Sequence, residues 1–257
     1  MLRSQDASGL IAELGQLGPP GLLACDADGT LWRGDAGEDV FVAALQSGFI
    51  KPELEGALRR EAESAGLSTA GDTSQLCRTL FEAYRAGDFD ERRVCEVMTW
   101  CYAGHTPSAV SAFAKDRLHS VSAGHLPLVG RYSAALVVVL DWARANGCRC
   151  VIVSASPQLI LEQAAAPLGF APEDIVGARA RVEGGVIQAQ MDGAVPYGPD
   201  KRRLGTPLAE GGPWLASFGD SEFDIDLLRA AKVAVGVQPK PGLRAALETI
   251  DGACELI

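Results

Sequence analysis

Three short apolar runs along the chain each end in polar residues and then lead into a stretch with helical spacing. The runs, with the polar residues that follow them, are 22–25 with Asp26, 151–153 with Ser154, and 215–218 with Gly219 and Asp220. A fourth run, residues 233–235, follows the last of these helical stretches. Continuous apolar strands that alternate with helices are typical of a parallel sheet covered on both faces. The pattern therefore predicts an α/β fold, with the polar residues at the carboxyl ends of the strands, where such sheets gather their chemistry.

The sequence pattern changes between residues 37 and 130, where apolar residues recur at helical spacing throughout. Residues whose side chains commonly cap helices precede three of these patterns: Asp72, Asp90 and Thr106. We expect a helical domain over 37–130, inserted after the first strand, with residues 1–36 and 131–257 forming the α/β core. A β-hairpin is predicted within residues 178–190, around two consecutive glycines.

Composition narrows the range of partners. The formal net charge of −10 argues against nucleic acid, whose binding depends on clustered lysine and arginine. No apolar run is long enough to span a bilayer, and the first residues lack the apolar stretch of a secretory signal. Seven scattered cysteines, an odd number, favour buried thiols over a disulfide framework. We therefore expect a cytoplasmic protein that binds neither nucleic acid nor membranes.

The sharpest chemical signal is the segment CDADGT at residues 25–30, which contains Asp26 and Asp28. Two carboxylates two residues apart at the end of a buried strand are costly unless a positive group binds between them. The same residues also suit an ordinary turn. A calcium-binding loop is excluded, because it needs glycine at its sixth position and glutamate at its twelfth, where this chain has Leu31 and Gly37.

A second acidic cluster, with Asp220 and Asp224, directly follows the third apolar run. Taken alone, these residues are more simply read as caps of the next helix. Because neighbouring parallel strands end at the same edge of a sheet, we expect them to lie beside Asp26 and Asp28. Carboxylate oxygens are ligands that Mg²⁺ prefers. The two clusters together predict a magnesium site.

Two further residues offer what a phosphate group needs. Ser154 ends its strand, so its hydroxyl and the neighbouring amides can donate hydrogen bonds at a helix N-terminus, although such a serine is often only a cap. Lys201 begins a helix after the predicted hairpin, between the second and third strand-end motifs. With the acidic clusters, these residues favour phosphate chemistry in which a metal and a lysine supply local positive charge.

Four motifs, in this order, resemble those of the haloacid dehalogenase superfamily of phosphohydrolases: CDADGT, VIVSAS, the segment around Lys201, and FGDSEFD. The resemblance extends from about residue 22 to about residue 240. A helical stretch between the first two motifs, and a hairpin followed by YGPDK, are similar to the phosphoserine phosphatase-like branch. The resemblance implies an α/β fold with a Rossmann-like, three-layer parallel sheet core and an α-helical cap domain inserted after the first motif strand.

The resemblance also implies a role for each motif residue. Asp26 would be the nucleophile that forms an aspartyl-phosphate, and Asp28 the general acid and base. Mg²⁺ would bind the Asp26 carboxylate, the Asp28 main-chain carbonyl and Asp220, while Asp224 would orient water at the metal or the lysine. The phosphate would be held by Thr30, Ser154 and Lys201. The activity implied is magnesium-dependent hydrolysis of a small phosphomonoester.

Acidic residues after the first motif bear on the rest of the substrate. Phosphoserine phosphatases carry a glutamate about nine residues after the nucleophile that meets the substrate amine, and this chain has Asp35 there, with Glu38 close behind. The two residues would favour an aminated phosphate ester, but they equally suit the first turn of a helix. The family's serine followed by two glycines is replaced here by SASP at residues 154–157, which argues against phosphoserine itself.

Two other groups of residues are better explained as structural. Three aromatic residues offer a cage for a quaternary amine, although aromatics at such spacing are more often core: Trp32, Trp100 and Tyr102. The histidines show no ligand spacing, and we expect them to be structural or exposed: His105, His119 and His125.

Alternatives to a phosphatase stay open on the same residues. A phosphomutase or another phosphotransferase uses the same carboxylates. A dehalogenase is disfavoured by Asp28, because a halide leaving group needs no proton. A non-catalytic binding module is disfavoured because it would usually have lost a nucleophile or a metal ligand. The expected partner is a small phosphorylated metabolite, and the oligomeric state stays open, with a homodimer as one alternative.

Overall fold

The centre of the computed structural model, which describes residues 2–120 and 127–257, is a seven-stranded sheet. The strands of the protein are β1 (Arg3–Gln5), β2 (Leu22–Cys25), β3 (Arg149–Pro157), β4 (Ile175–Ala178), β5 (Ala180–Glu183), β6 (Val186–Met191), β7 (Trp214–Gly219), β8 (Val233–Val237) and β9 (Cys254–Leu256). Across the sheet the order is β1-β9-β8-β7-β2-β3-β4, and every neighbouring pair is parallel. The remaining strands, β5 and β6, form the predicted antiparallel hairpin.

Helices cover both faces of this sheet. They are α1 (Ala7–Gln16), α2 (Ala36–Ser47), α3 (Glu55–Ser64), α4 (Thr73–Ala86), α5 (Glu91–Trp100), α6 (Pro107–His119), α7 (Ala134–Ala145), α8 (Gln158–Ala165), α9 (Pro199–Gly205), α10 (Ile225–Leu228) and α11 (Pro241–Leu247). Successive side chains of β2 point to opposite faces, as the period of a strand requires. Leu23 and Cys25 pack in the core cluster that includes α1 and α7, while Leu22 and Ala24 pack in the one that includes Leu227 of α10. The predicted α/β, Rossmann-like three-layer fold is confirmed.

The register of the central strands brings the motif residues together. Cys25, the last residue of β2, lies opposite Ile152 of β3 on one side and Phe218 of β7 on the other. In the sheet, β2 lies between β3 and β7, and later strands continue the sheet on both sides. The strand order therefore reverses at β2, and a crevice opens at its carboxyl end. The residues that follow Cys25, Val153 and Phe218 therefore meet at one edge of the sheet.

The segment before β3 is helical, as its spacing predicts. Asp72, Asp90 and Thr106 each cap a helix by accepting a hydrogen bond from the main-chain N–H three residues later. Helix α6 packs against α2 and α8, and α5 packs against β3 and the hairpin strand β6. The division into a cap over 37–130 and a core of 1–36 and 131–257 stays a prediction.

Two sequence-based expectations concern the molecule as a whole. All seven cysteines are buried free thiols, which agrees with the interpretation of their odd number. In the described part of the chain, every helix is too short or too polar to cross a bilayer.

Candidate active site

The ends of β2, β3 and β7 open into a cavity of about 390 Å³. The predicted site residues that line it are Asp26, Asp28, Asp35, Glu38, Ser154, Lys201 and Asp220. Helices α4 and α5 add Tyr84, Glu91 and Cys95 to its wall. Residues spread over most of the chain thus meet in one pocket, at the edge of the sheet that the strand pattern indicated.

Lys201 connects the two acidic clusters. Its Nζ lies 2.6 Å from Oδ1 of Asp26 and 2.5 Å from Oδ1 of Asp224, and all three side chains are buried. Burial alone would lower the pKa of Lys201, but the carboxylates of Asp224 and Asp26 outweigh it and raise the pKa. The lysine is therefore a fixed positive charge beside Asp26.

Asp224 is held from two directions, which explains why its side chain has a single orientation. While Oδ1 contacts Lys201, Oδ2 accepts hydrogen bonds from the main-chain N–H groups of Asp220 and Ser221, both at 3.0 Å. A Cβ at Gly219 would lie 2.5 Å from the Cβ of Asp224, so only glycine leaves room for this carboxylate. Because both oxygens are already engaged, Asp224 is suited to positioning Lys201 and the Asp220 loop.

The carboxylate of Asp28 is fixed by three donors. Oδ1 accepts from Nε1 of Trp32 and from the N–H of Ala36, both at 2.7 Å, and Oδ2 accepts from Oγ of Ser156 at 2.5 Å. Burial raises the pKa of Asp28, although the Ser156, Ala36 and Trp32 hydrogen bonds act in the opposite direction. Sequence reasoning missed Ser156 as a functional residue, because its only sign was a second serine two positions after Ser154.

The two other predicted phosphate ligands differ in exposure to the cavity. Ser154 lines the cavity, and its Oγ accepts a hydrogen bond from the N–H of Ser156 at 3.4 Å. Thr30 is buried behind Asp26, where its Oγ1 donates to Oδ2 of Asp26 at 3.5 Å. The structure thus brings Ser154 to the pocket surface and places Thr30 against Asp26.

Three carboxylates form a group that suits a metal ion. One oxygen from each of Asp26, Asp220 and Asp224 lies within 4.8 Å of the others, and all three residues are buried. Burial raises the pKa of Asp26 to about 7; the Lys201 charge lowers it without cancelling that rise, and the Asp224 and Asp220 charges add to it. Hard oxygen ligands with an excess of negative charge are what Mg²⁺ requires, so the residues present fit this ion.

Lys240 is a second cation of the cavity that sequence reasoning did not identify. Its Nζ lies 2.8 Å from Oδ2 of Asp220, the predicted metal ligand. Burial raises the pKa of Asp220, and the Lys240 contact acts against that rise. The signal in the sequence was weak, because the lysine lies between two prolines in an otherwise unremarkable loop.

Asp35 and Glu38, the acidic residues predicted to bind the substrate, lie at the N-terminus of α2 and also line the cavity. Asp35 caps α2 by accepting from the N–H of Glu38 at 2.7 Å, and it also lines the cavity. Burial, followed by the charges of Asp28 and Glu38, raises the pKa of Asp35 well above its usual range. Glu38 lines the cavity too, and pairs with the exposed Arg85 at 3.2 Å. Both interpretations of these residues are therefore compatible with the geometry.

The preferred interpretation of the three aromatic residues as core is confirmed, and the alternative of an aromatic cage is wrong. Trp32, Trp100 and Tyr102 are core residues that do not line the cavity, and the indole of Trp32 serves Asp28 instead. The aromatic residues that do line it are Tyr84, Tyr197 and Phe223, the last two with ring centroids 4.5 Å apart. Among the histidines, Nε2 of His105 contacts the Phe49 carbonyl and Nε2 of His119 the Gln163 carbonyl, whereas His125 lies outside the described residues.

Solved structures share this fold. A protein of unknown function from Bordetella pertussis Tohama I has a TM-score of 0.67 at 22% identity, over 92% of this chain and 97% of its own. A substrate-bound phosphoserine phosphatase has a TM-score of 0.56 at 14% identity, over 92% and 93%. A phospho-aspartyl intermediate analogue of phosphoserine phosphatase has a TM-score of 0.52 at 15% identity, over 91% and 100%.

The family follows from the sequence rather than from these distant structures. No curated protein matches the chain. The family model of haloacid dehalogenase-like hydrolases, however, matches residues 23–229, which include all four motifs. The chain therefore belongs to the haloacid dehalogenase-like hydrolases, and its fold is that of the phosphoserine phosphatases among them.

Proposed function

We propose that this hydrolase is a magnesium-dependent phosphatase that cleaves the phosphomonoester of a small aminated alcohol. The observation that carries the proposal is the fixed pair of carboxyl groups at the end of β2. Asp26 is oriented by Lys201 at 2.6 Å, and Asp28 is oriented by three hydrogen-bond donors. A nucleophile and a proton carrier, each held in one orientation beside a buried cation, are the parts that phosphoryl transfer through an enzyme carboxylate needs.

The two carboxyl groups divide the reaction between them. A carboxylate oxygen of Asp26 attacks phosphorus while the bond to the alcohol oxygen breaks, and Asp28 gives its proton to that oxygen. Asp28 then takes a proton from water, whose oxygen attacks phosphorus and breaks the bond to Asp26. Burial raises the pKa of Asp28, which favours the protonated form that the first step uses.

The remaining residues bind and stabilise charge. Ser154 offers its hydroxyl to the phosphate oxygens, and Lys201 offsets the negative charge of the two aspartates it contacts. Mg²⁺ would be held by Asp26, Asp220 and the main-chain carbonyl of Asp28, and when bound it supplies the positive charge that an acidic pocket lacks.

The acidic residues that line the cavity support a substrate whose alcohol carries an amine. Three carboxylates, those of Asp35, Glu38 and Glu91, line the part of the cavity formed by α2 and α5. Among the described residues, the two cations that line the cavity, Lys201 and Lys240, both pair with aspartates that follow strands of the core. A cation beside these carboxyl groups favours their charged form and is attracted to it, whereas a substrate carboxylate would add like charge to the same part of the cavity. Phosphoethanolamine and phosphocholine fit this better than phosphoserine.

The experiment is a substrate screen that measures free phosphate. Phosphoethanolamine, phosphocholine, phosphoserine, glycerol phosphate and sugar phosphates are compared, with Mg²⁺ and with EDTA, using the wild type and Asp26→Asn. We expect the aminated esters without a carboxylate to have the highest kcat/KM, and both EDTA and Asp26→Asn to abolish hydrolysis. Activity that survives either treatment contradicts the mechanism, and sugar phosphate that is isomerised without release of phosphate identifies a phosphomutase instead.

A further inference from the structure

Lys240 is tied to Asp220 by both its main chain and its side chain. Its N–H donates to the carbonyl of Asp220 at 2.7 Å, and its Nζ lies 2.8 Å from Oδ2 of the same residue. The loop that carries it is stiff, because prolines stand on both sides at positions 239 and 241. Gln238 adopts the left-handed region with φ of 46°, a conformation rarely adopted outside glycine. This backbone conformation restricts where the Lys240 side chain can lie.

The two lysines of the cavity are held differently. Lys201 is 5% exposed and contacts two carboxylates, so moving it away would leave two buried carboxylates without their counter-charge. The Lys240 side chain is 62% exposed and contacts one carboxylate, and an ammonium that stays largely in water contributes little to stability through such a pair. Lys240 can therefore exchange its partner at little cost, whereas Lys201 is a permanent part of the pocket.

The contact made by Lys240 uses the oxygen of a proposed metal ligand. Asp220 is buried, and its Oδ2 occupies the space that a Cβ at Gly29 would take, so the carboxylate packs directly against the loop of the first motif. An ammonium and a divalent cation compete for such a carboxylate, both for its oxygen and through mutual repulsion. The same cavity offers the lysine another acidic neighbour in Glu91.

We propose that Lys240 is an exchangeable counter-ion of Asp220, which neutralises this carboxylate in the metal-free protein and gives it up when a divalent cation binds. The proposal rests on the proposed function, since it takes Asp220 as a metal ligand. It adds a consequence that the phosphatase mechanism does not contain. The protein lowers its own affinity for the metal, and in the metal-free state the charge of Asp220 is neutralised.

The test measures Mg²⁺ binding by titration calorimetry without substrate. Lys240→Met keeps most of the side-chain length but removes the charge, and we expect it to bind Mg²⁺ about twofold to fivefold more tightly than the wild type. Lys240→Gln is expected to do the same, and Lys240→Arg to bind no more tightly than the wild type. Lys232→Met is the matched control, because it removes one charge from an exposed lysine outside the cavity and is expected to leave the affinity unchanged.

A second readout is the melting temperature with and without Mg²⁺. We expect the rise caused by Mg²⁺ to be larger for Lys240→Met than for Lys232→Met. Equal affinities and equal shifts for these two variants, in a protein that binds Mg²⁺ and hydrolyses its substrate, overturn the counter-ion role alone. A wild type that does not bind Mg²⁺, or binds it as well after Asp220→Asn, overturns both this role and the proposed metal site.

Discussion

At the scale of single residues, the setting of Asp26 links catalysis to stability. The carboxyl group is buried, and burial together with the Asp224 and Asp220 charges raises its pKa to about 7 from an ordinary value near 3.8. The folded protein therefore binds a proton at Asp26 more tightly than the unfolded chain does. By linkage, this residue makes the free energy of unfolding fall as pH rises from about 4 to about 7.

Asp26→Asn removes this dependence together with the proposed nucleophile. In EDTA, we expect the difference in the free energy of unfolding between Asp26→Asn and the wild type to shift in favour of the variant as pH rises through that window. Urea denaturation at several pH values measures it. Asp251→Asn, at an exposed aspartate, is the control and is expected to track the wild type. Curves for Asp26→Asn that run parallel to those of the wild type would contradict the assigned cause.

Ser156 acts at the same scale through another residue. Its hydroxyl donates to Asp28 at 2.5 Å, and a hydrogen bond to a charged group contributes about 1.5–3 kcal/mol. We expect Ser156→Ala to lower kcat about tenfold to a hundredfold with little change in KM, because Asp28, the proposed proton carrier, loses its orientation while the proposed phosphate-binding residues are unchanged. Steady-state kinetics check this. A matched loss for Ser47→Ala, at an exposed serine that bonds to its own helix, would show that the effect is not specific.

At the scale of secondary structure, the sequence predicted the elements that depend on neighbouring residues, but not the contacts between residues far apart in the chain. The apolar runs of β2, β3 and β7, and the caps Asp72 and Asp90, could be predicted because strand and helix signals lie within a few residues. The partners of the carboxylates could not be predicted in this way. Ser156 meets Asp28 from 128 residues away, and only the register of β2 against β3 decides that contact.

At the N-terminus of α2, one residue combines a helix cap with a proposed role in substrate binding. Asp35 caps the helix through the N–H of Glu38 and also lines the cavity. Asparagine caps a helix as well as aspartate does, whereas alanine costs about 1 kcal/mol. We expect Asp35→Ala to unfold about 1 kcal/mol more easily than Asp35→Asn, because only the alanine variant loses the cap.

Kinetics of the same two variants separate the cap from the substrate role. If Asp35 attracts an amine, both variants raise KM for phosphocholine and leave KM for glycerol phosphate nearly unchanged. If Asp35 is only a cap, Asp35→Asn keeps the wild-type KM for both esters. Denaturation and steady-state kinetics on one pair of proteins thus decide between interpretations that the sequence left equal.

At the scale of the whole molecule, the aromatic residues show which structural property a sequence pattern cannot predict. Whether an aromatic side chain lines a pocket or fills a core depends on how the helices of the 37–130 stretch lie against the sheet, and periodicity carries no information about that. In that stretch, Trp100 and Tyr102 are buried in the core, while Tyr84 of α4 reaches the cavity. The charge of the molecule, in contrast, is fully present in the sequence, and it has consequences for kinetics.

The net charge of −10 repels phosphate esters before they reach the pocket, and salt screens this repulsion. Glycerol phosphate carries no compensating charge, whereas phosphocholine carries a cation that the acidic wall attracts. Raising the ionic strength from about 0.01 M to 0.15 M shortens the screening length from about 30 Å to about 8 Å. We expect the ratio of kcat/KM for glycerol phosphate to that for phosphocholine to rise over this range, at saturating Mg²⁺. Taking the ratio cancels any effect of salt on the metal or on the fold, since both esters meet the same enzyme. A ratio that stays constant would mean that neither the surface charge nor the wall of Asp35, Glu38 and Glu91 distinguishes the two substrates.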